Sequence, residues 1–435
     1  MWPISRLPQL LSLVKLCGIL AAFDLLMFAA ASEPSALPLS PALAAAERLG
    51  AKSMLVHYMP WYETPAVRGK WGVHWIGHDR QHNPEVTKEN GLPDIWSHYH
   101  PLIAPYDSTD PHVLECQLLQ MKLAGANGVV IDWYGVHSAN DFPEIHKASE
   151  ALFDATARLG MKFAACYEDR IFNVLLDQGK IQPPEIAAIH RADMAWAAKE
   201  WFPAAHYFRF EGRPLLLNFG PMHVRDAEAW TAALDLPGGR PALFCLHHLW
   251  RGGGADGGFS WIHTEPFEGE PSAEVIQRRL ADTHASCSKD PRQVIPSAYP
   301  GYRDCYEESH LEPLDRRGGR TMRETLQAAL EGPWPVVQLV TWNDYGEGTV
   351  IEPTHEDSYA ALEAVQEARR KELGEVFDLT PDDLRLPARL YALRQRRGGP
   401  VGELDRVSSL LSAGRCAEAR SLLDALDGPV GGMDH

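Results

Sequence analysis

No uninterrupted apolar run in this 435-residue chain reaches the roughly 18 residues that a spanning helix requires, so no stable membrane span is expected. Cations are in the minority. The 41 Lys and Arg face 58 Asp and Glu, and a formal charge of −17 argues against nucleic acid or an anionic membrane as partner. Also missing are a phosphate-binding Walker loop, a dinucleotide fingerprint, a clustered Cys-x-x-Cys pair, and any repeat or low-complexity tract. The seven cysteines are scattered and set no compartment. Cys166 and Cys245 lie inside apolar runs, where each reads as a small buried hydrophobe rather than half of a disulfide.

The N-terminus has the outline of an export leader over residues 1–31. Arg6 and Lys15 flank Leu-rich sequence, residues 16–23 and 25–31 are apolar, and Ala29-Ala30-Ala31-Ser32 offers small residues for cleavage. Asp24 interrupts the apolar stretch, so an uncleaved, membrane-associating leader is the competing expectation. An exported protein, periplasmic or secreted, follows from the first reading. Residues 32–50, rich in Pro, Ala and Ser at their start, read as a linker.

What the chain has in quantity is aromatic residues beside acids. It carries 13 Trp and 13 Tyr, a composition that suits a sugar-binding groove as well as a core. From residue 51 onward, short apolar runs alternate with helical patterns. The expected strands begin at Met54, Gly128, Lys162, Pro214, Ala242, Phe259, Val294 and Val336. Helices are expected after most of them, over about 110–121, 144–159, 185–201, 226–234, 272–286, 321–330 and 356–373. Eight strands alternating with helices predict an α/β fold of the (β/α)8 TIM barrel type over residues 51–377. Residues 378–435 predict a small helical extension, a hairpin of helices near 384–396 and 404–426 with its turn at Gly398-Gly399-Pro400.

Barrel enzymes work at the C-terminal ends of their strands. Those ends here carry His57 and Tyr58, Asp132 and Trp133, Tyr167 and Glu168, Asn218, His247, His263, Tyr299, and finally Asn343, Asp344 and Glu347. Asp344 and Glu347 sit three apart on a loop containing Gly346. Two carboxylates that close push each other's pKa values apart, giving one acid and one base, the pair that glycosidic cleavage needs. Asp110 reads better as a helix cap, and His98 and His100 as locally bonded side chains with no third metal ligand at suitable spacing.

Several motifs resemble glycoside hydrolase family 99, the endo-α-mannosidases. They are His57-Tyr58-Met59-Pro60-Trp61-Tyr62, His74-Trp75, Tyr106-Asp107-Ser108-Thr109-Asp110, Asp132-Trp133-Tyr134, Pro296-Ser297 with Pro300-Gly301-Tyr302, and Trp342-Asn343-Asp344-Tyr345-Gly346-Glu347-Gly348-Thr349 with Ile351-Glu352-Pro353. The last motif is also similar to the α-1,3-glucanases of family 71 and to a bacterial group near polysaccharide glycosyltransferases. The resemblance implies a glycoside hydrolase acting within a mannan or related α-glycan, with an oligo- or polysaccharide as partner and no metal or organic cofactor. It implies a retaining reaction in which Asp344 is the base that deprotonates the sugar's 2-hydroxyl and Glu347 the acid. It further implies sugar contacts from His74, Trp75, Trp133, Glu168 and Tyr302. Tyr58, Asp132 and Asn343 join the expected substrate-binding set as neighbours on the same strand exits. An α-1,3-glucanase and a non-catalytic carbohydrate-binding barrel are the alternatives. In family 99 the motif reads Asn-Glu-x-x-Glu, so Asp344 retracts its carboxylate by about one bond, ~1.5 Å.

Overall fold

A computed structural model describes residues 37–48, 50–262, 273–288, 290–306, 311–397 and 402–427. The predicted leader, the Gly398-Gly399-Pro400 turn and His263 lie outside them. Among the described residues, no helix is long and apolar enough to cross a membrane.

The strands are β1 (Ser53–Tyr58), β2 (Gly128–Trp133), β3 (Lys162–Tyr167), β4 (Arg209–Phe210), β5 (Arg213–Asn218), β6 (Ala242–Leu246), β7 (Gly257–Phe259), β8 (Val294–Ile295), β9 (Ser297–Ala298) and β10 (Val336–Leu339). Apart from β4 they lie on or beside the expected apolar runs, with β7 ending at Phe259, where the sixth was expected to begin. All pair in parallel except β4, a short antiparallel arm on β5 that the sequence pattern did not announce. The order around the sheet is β8-β7-β6-β5-β3-β2-β1-β10-β9. β8 and β9 are two halves of one predicted strand, split at Pro296, which has no N–H to give to a ladder. Its carbonyl still accepts the Gln338 N–H at 2.8 Å, so the ring of staves closes through this interrupted strand. This is the (β/α)8 barrel that the pattern predicted.

Strand alternation divides each strand between two environments. One set, including Leu55, Val130, Ala164, Cys166, Leu217 and Phe244, fills the barrel interior. The other set, including Val56, Val129, Ile131, Phe163 and Leu216, packs under the surrounding helices. Each fully buried Val, Leu, Ile or Phe of this kind contributes roughly 1.5–3 kcal/mol. β2 has all six residues buried, as a parallel strand covered on both faces should.

The helix Pro111–Leu123 begins as expected at Asp110, whose carboxylate accepts the His112 N–H at 2.8 Å. The extension packs onto it. Helix Leu386–Arg397 brings Arg394 to a two-point ion pair with Glu115 at 2.6 and 2.9 Å, both side chains buried. The helix expected over 404–426 is instead two, Gly402–Ser412 and Cys416–Asp427. Gly414 breaks it by taking a left-handed φ of 73°, where a side chain would also run into Ser40. Part of the expected linker is structured as well. Residues 41–46 form a short helix capped by Ser40, with Ala42 and Leu43 buried and the Ser40 N–H bonded to the Ala413 carbonyl.

Candidate active site

The strand exits surround a cavity of about 750 Å³. Its floor and walls come from residues of inward parity: His57 near the end of β1 and Met59 just past it, Asp132 near the end of β2 and Tyr134 just past it, and Glu168 and Arg170 after β3. The long segment between β1 and the helix at Pro111 adds Trp61, Trp71, His74 and His78, and the loop after β10 adds Asp344 and Glu347.

That last loop is held by its own residues. The Thr341 hydroxyl accepts the Asp344 N–H at 2.8 Å, and Asp344 Oδ1 accepts the Glu347 N–H at 2.8 Å. Asn343 fixes the loop to the end of β1. Its side-chain carbonyl accepts the Met59 N–H at 2.8 Å, and its amide donates to the Met59 carbonyl at 3.0 Å. Glu352 anchors the far side: it accepts from the hydroxyls of Tyr106 and Tyr345, each at 2.8 Å, and from the Gln117 amide at 2.7 Å. Glu352 is thus the hub of a buried network.

The electrostatics separate the two acids. Burial raises Asp344 to about 6, and the Glu347 backbone N–H and nearby His74 oppose that rise. Burial and the neighbouring Asp344 carboxylate lift Glu347 further, to about 8, against the pull of Trp261 and Arg170. Glu347 Oε2 is buried and has no hydrogen-bond partner among the described residues. Desolvation also raises Asp132, to about 7, and Glu168, whose charged form is supported by Arg170 Nε at 2.9 Å. That ion pair lacks the alignment of a hydrogen bond, which leaves Glu168 Oε2 free for another donor.

Among the described residues, His57, Asp132 and Cys166 place three potential metal-binding atoms within 4.8 Å of one another. Tetrahedral zinc holds its donors roughly 3.5 Å apart, and a ligating thiol must ionise. Burial and the adjacent Asp132 instead push the Cys166 thiol well up. The atom types suit a zinc-like ion, and Cys166 packs among the apolar residues of the barrel interior.

Of the ten site residues expected from sequence, Asp344, Glu347, His74, Asp132 and Glu168 line this one cavity. The other five are placed elsewhere. Tyr58 points out of the barrel and donates to Gln117 Oε1 at 2.6 Å. Trp133 faces the helices, packed on Trp201 with ring centres 5.0 Å apart and donating to His146 at 3.2 Å. Each follows an inward-facing residue on its strand, so the period of two turns it away. Trp75 is buried under the loop with its indole N–H on the Tyr106 carbonyl, Tyr302 directs its hydroxyl to Asp304, and Asn343 is spent on the backbone of Met59. The same parity would have pointed to Tyr134 and Arg170, which the sequence reading passed over. Asp141 was also missed: it holds His74 Nε2 at 3.2 Å, while the His74 ring stacks on Trp61 at 4.4 Å. His100 bonds locally to the Pro93 carbonyl, as expected, and also to Glu356, whereas His98 bonds not locally but to the distant Asp304 carbonyl.

Residues 51–240 match the model of glycosyl hydrolase family 99. Over those residues the chain is similar to that family. The resemblance read from the motifs is therefore borne out. The chain is 25% identical over 329 residues to a "Glycoprotein endo-alpha-1,2-mannosidase-like protein" of Danio rerio, covering 68% of this chain and 70% of that protein. It is 21% identical over 328 residues to the "Glycoprotein endo-alpha-1,2-mannosidase" of Xenopus laevis, covering 68% and 69%. Among solved structures, the GH99 endo-alpha-mannosidase of Bacteroides thetaiotaomicron aligns over 73% of this chain and 98% of its own, with a TM-score of 0.54 at 18% identity. That likeness is one of fold. The matched family segment ends after β5, so the turn bearing Asp344 and Glu347 lies beyond it.

Proposed function

We propose that this chain is a glycoside hydrolase that cuts internal α-glycosidic bonds of a mannan or related α-glycan with retention of configuration. The observation that carries the reading is two carboxyl groups on one turn facing one cavity, with Glu347 raised further than Asp344. The names of the relatives, endo-alpha-1,2-mannosidases, support the choice of mannan.

At neutral pH Asp344 is largely ionised and Glu347 largely protonated. Asp344 takes the proton of the sugar's 2-hydroxyl, and that oxygen attacks the anomeric carbon. As the bond to the departing sugar breaks, Glu347 gives its proton to the leaving oxygen. Glu347, now a carboxylate, takes a proton from the water that opens the 1,2-anhydro ring, and Asp344 returns its proton to the 2-oxygen. Two displacements at one carbon leave the configuration as it began. Trp61 and the His74 ring stacked on it offer a flat face for a sugar ring. Asp132 and Glu168 offer acceptors for hydroxyl groups.

A carbohydrate-binding barrel without catalysis is the second reading. It draws on the Asp344 carboxylate, shorter than a glutamate and with one oxygen committed to the Glu347 N–H. Incubation with α-mannan, α-1,3-glucan and bacterial exopolysaccharides separates the readings. New reducing ends from α-mannan support the first. Binding with no new ends at high enzyme load supports the second, and ends from α-1,3-glucan alone would move the substrate to the glucanase class.

A further inference from the structure

The cavity contains a phenol that none of the motifs singled out. Tyr306 lines it beside both acids. The segment carrying it is fastened to the acid-bearing turn by two backbone hydrogen bonds, Arg303 N–H to the Glu347 carbonyl and Cys305 N–H to the Gly346 carbonyl, each 3.0 Å. The Tyr306 ring meets Trp96 edge-on, with centres 5.2 Å apart. Its position is thus tied to the same backbone that positions Glu347.

Gly346 makes room for it. A Cβ on residue 346 would lie 2.6 Å from the Tyr306 hydroxyl oxygen and 3.1 Å from the ring carbon that bears it, with Asp344 Oδ1 at 3.4 Å. The hydroxyl therefore occupies the space a side chain at 346 would take, next to the Asp344 carboxylate. It makes no hydrogen bond among the described residues. Burial, with Asp344 and Glu347 close by, pushes the phenol well above its usual range, so it stays protonated and able to donate.

We propose that Tyr306 contacts the substrate, donating a hydrogen bond from its hydroxyl to the sugar oxygen held between Asp344 and Glu347, in the space that Gly346 leaves open. The inference rests on the glycosidase reading above. It makes Tyr306 a further catalytic residue, and it gives Gly346 a chemical reason beyond turn formation.

The test is a double-mutant cycle on an α-mannan oligosaccharide, with kcat/KM and calorimetric Kd measured for wild type, Tyr306→Phe, Gly346→Ala and the double variant. Tyr306→Phe keeps the ring on Trp96 and removes only the hydroxyl, and kcat/KM should fall roughly 10- to 100-fold. Gly346→Ala should cost a similar factor by displacing the same hydroxyl. The double variant should be little worse than Tyr306→Phe alone, because the 2.6 Å contact with the hydroxyl is gone and only the 3.1 Å approach to the ring carbon remains. Tyr306→Phe within twofold of wild type would overturn the proposal. So would multiplicative losses in the double variant, since they would give Gly346 and Tyr306 separate roles. If wild type binds the oligosaccharide without cutting it, the glycosidase reading fails, and Tyr306 is judged by Kd. A roughly 5- to 10-fold weakening in Tyr306→Phe supports the contact, and an unchanged Kd overturns it. If wild type neither cuts nor binds, both readings fall together.

Discussion

The backbone N–H of Glu347 donates to Asp344 Oδ1 at 2.8 Å. One turn thus fixes the two acids together and lowers the proton affinity of the first, while the charge of the first raises that of the second. Burial raises both, the turn's N–H groups hold Asp344 back and its charge lifts Glu347, so the asymmetry has a direction: Asp344 ionises before Glu347.

A bell-shaped pH profile follows. A base works ionised, so kcat/KM should rise as pH climbs through about 6, where Asp344 loses its proton. An acid works protonated, so kcat/KM should fall as pH climbs through about 8, where Glu347 loses its own. Steady-state rates across this range check both limbs. Asp344→Glu lengthens the side chain and should move the acidic limb, leaving the alkaline limb near its place.

Glu347 also links stability to pH. Its folded pKa is raised above the ordinary carboxylate value, so the stability it leaves intact at low pH is lost as pH rises from about 4.5 to about 8. Glu347→Gln removes that loss. Thermal melts should show the variant gaining on wild type between pH 5 and pH 8.5, and a constant difference across that range would contradict the assignment.

Glu352 should matter through position alone. It accepts three buried hydrogen bonds and lines no part of the cavity. Glu352→Ala leaves two phenols and an amide unsatisfied and should cost roughly 3–5 kcal/mol in chemical denaturation. The shape of the pH profile should remain that of wild type, because the acid pair itself is untouched.

Trp133 and His74 give opposite expectations. Trp133 lies among Trp196, Trp201 and His146 on the helix side of the barrel, so Trp133→Phe should lower stability by roughly 1–3 kcal/mol and leave KM near wild type. His74 lines the cavity, stacked on Trp61 and steadied by Asp141. His74→Ala should raise KM roughly 10-fold with little change in stability. Asp141→Asn should show a weaker version of the same effect. Paired kinetics and melts on these variants separate the two roles.

Most of the barrel was legible because parallel strands buried on both faces read as apolar runs, and helices filled the gaps between them. The exceptions are local. Pro296 splits one strand into β8 and β9, and Gly414 splits one helix, because single residues override a pattern that is averaged over many. The site was legible at the level of strand exits but not of side-chain direction. Both Asp132 and Trp133 end β2, and only the alternation of the strand decides that the first enters the cavity while the second packs behind it. Asp141 and Tyr306 reach the site from loops far along the chain, where no period exists to reveal them.

The central claim is that Asp344 and Glu347 form a working base and acid, and Glu347→Gln tests it most directly. With an α-mannan oligosaccharide, wild type should release fragments of retained anomeric configuration by NMR. Glu347→Gln should lose roughly 1,000-fold or more in turnover while calorimetry finds its binding intact. Full cleavage by Glu347→Gln would contradict the assignment, as would fragments of inverted configuration from the wild type.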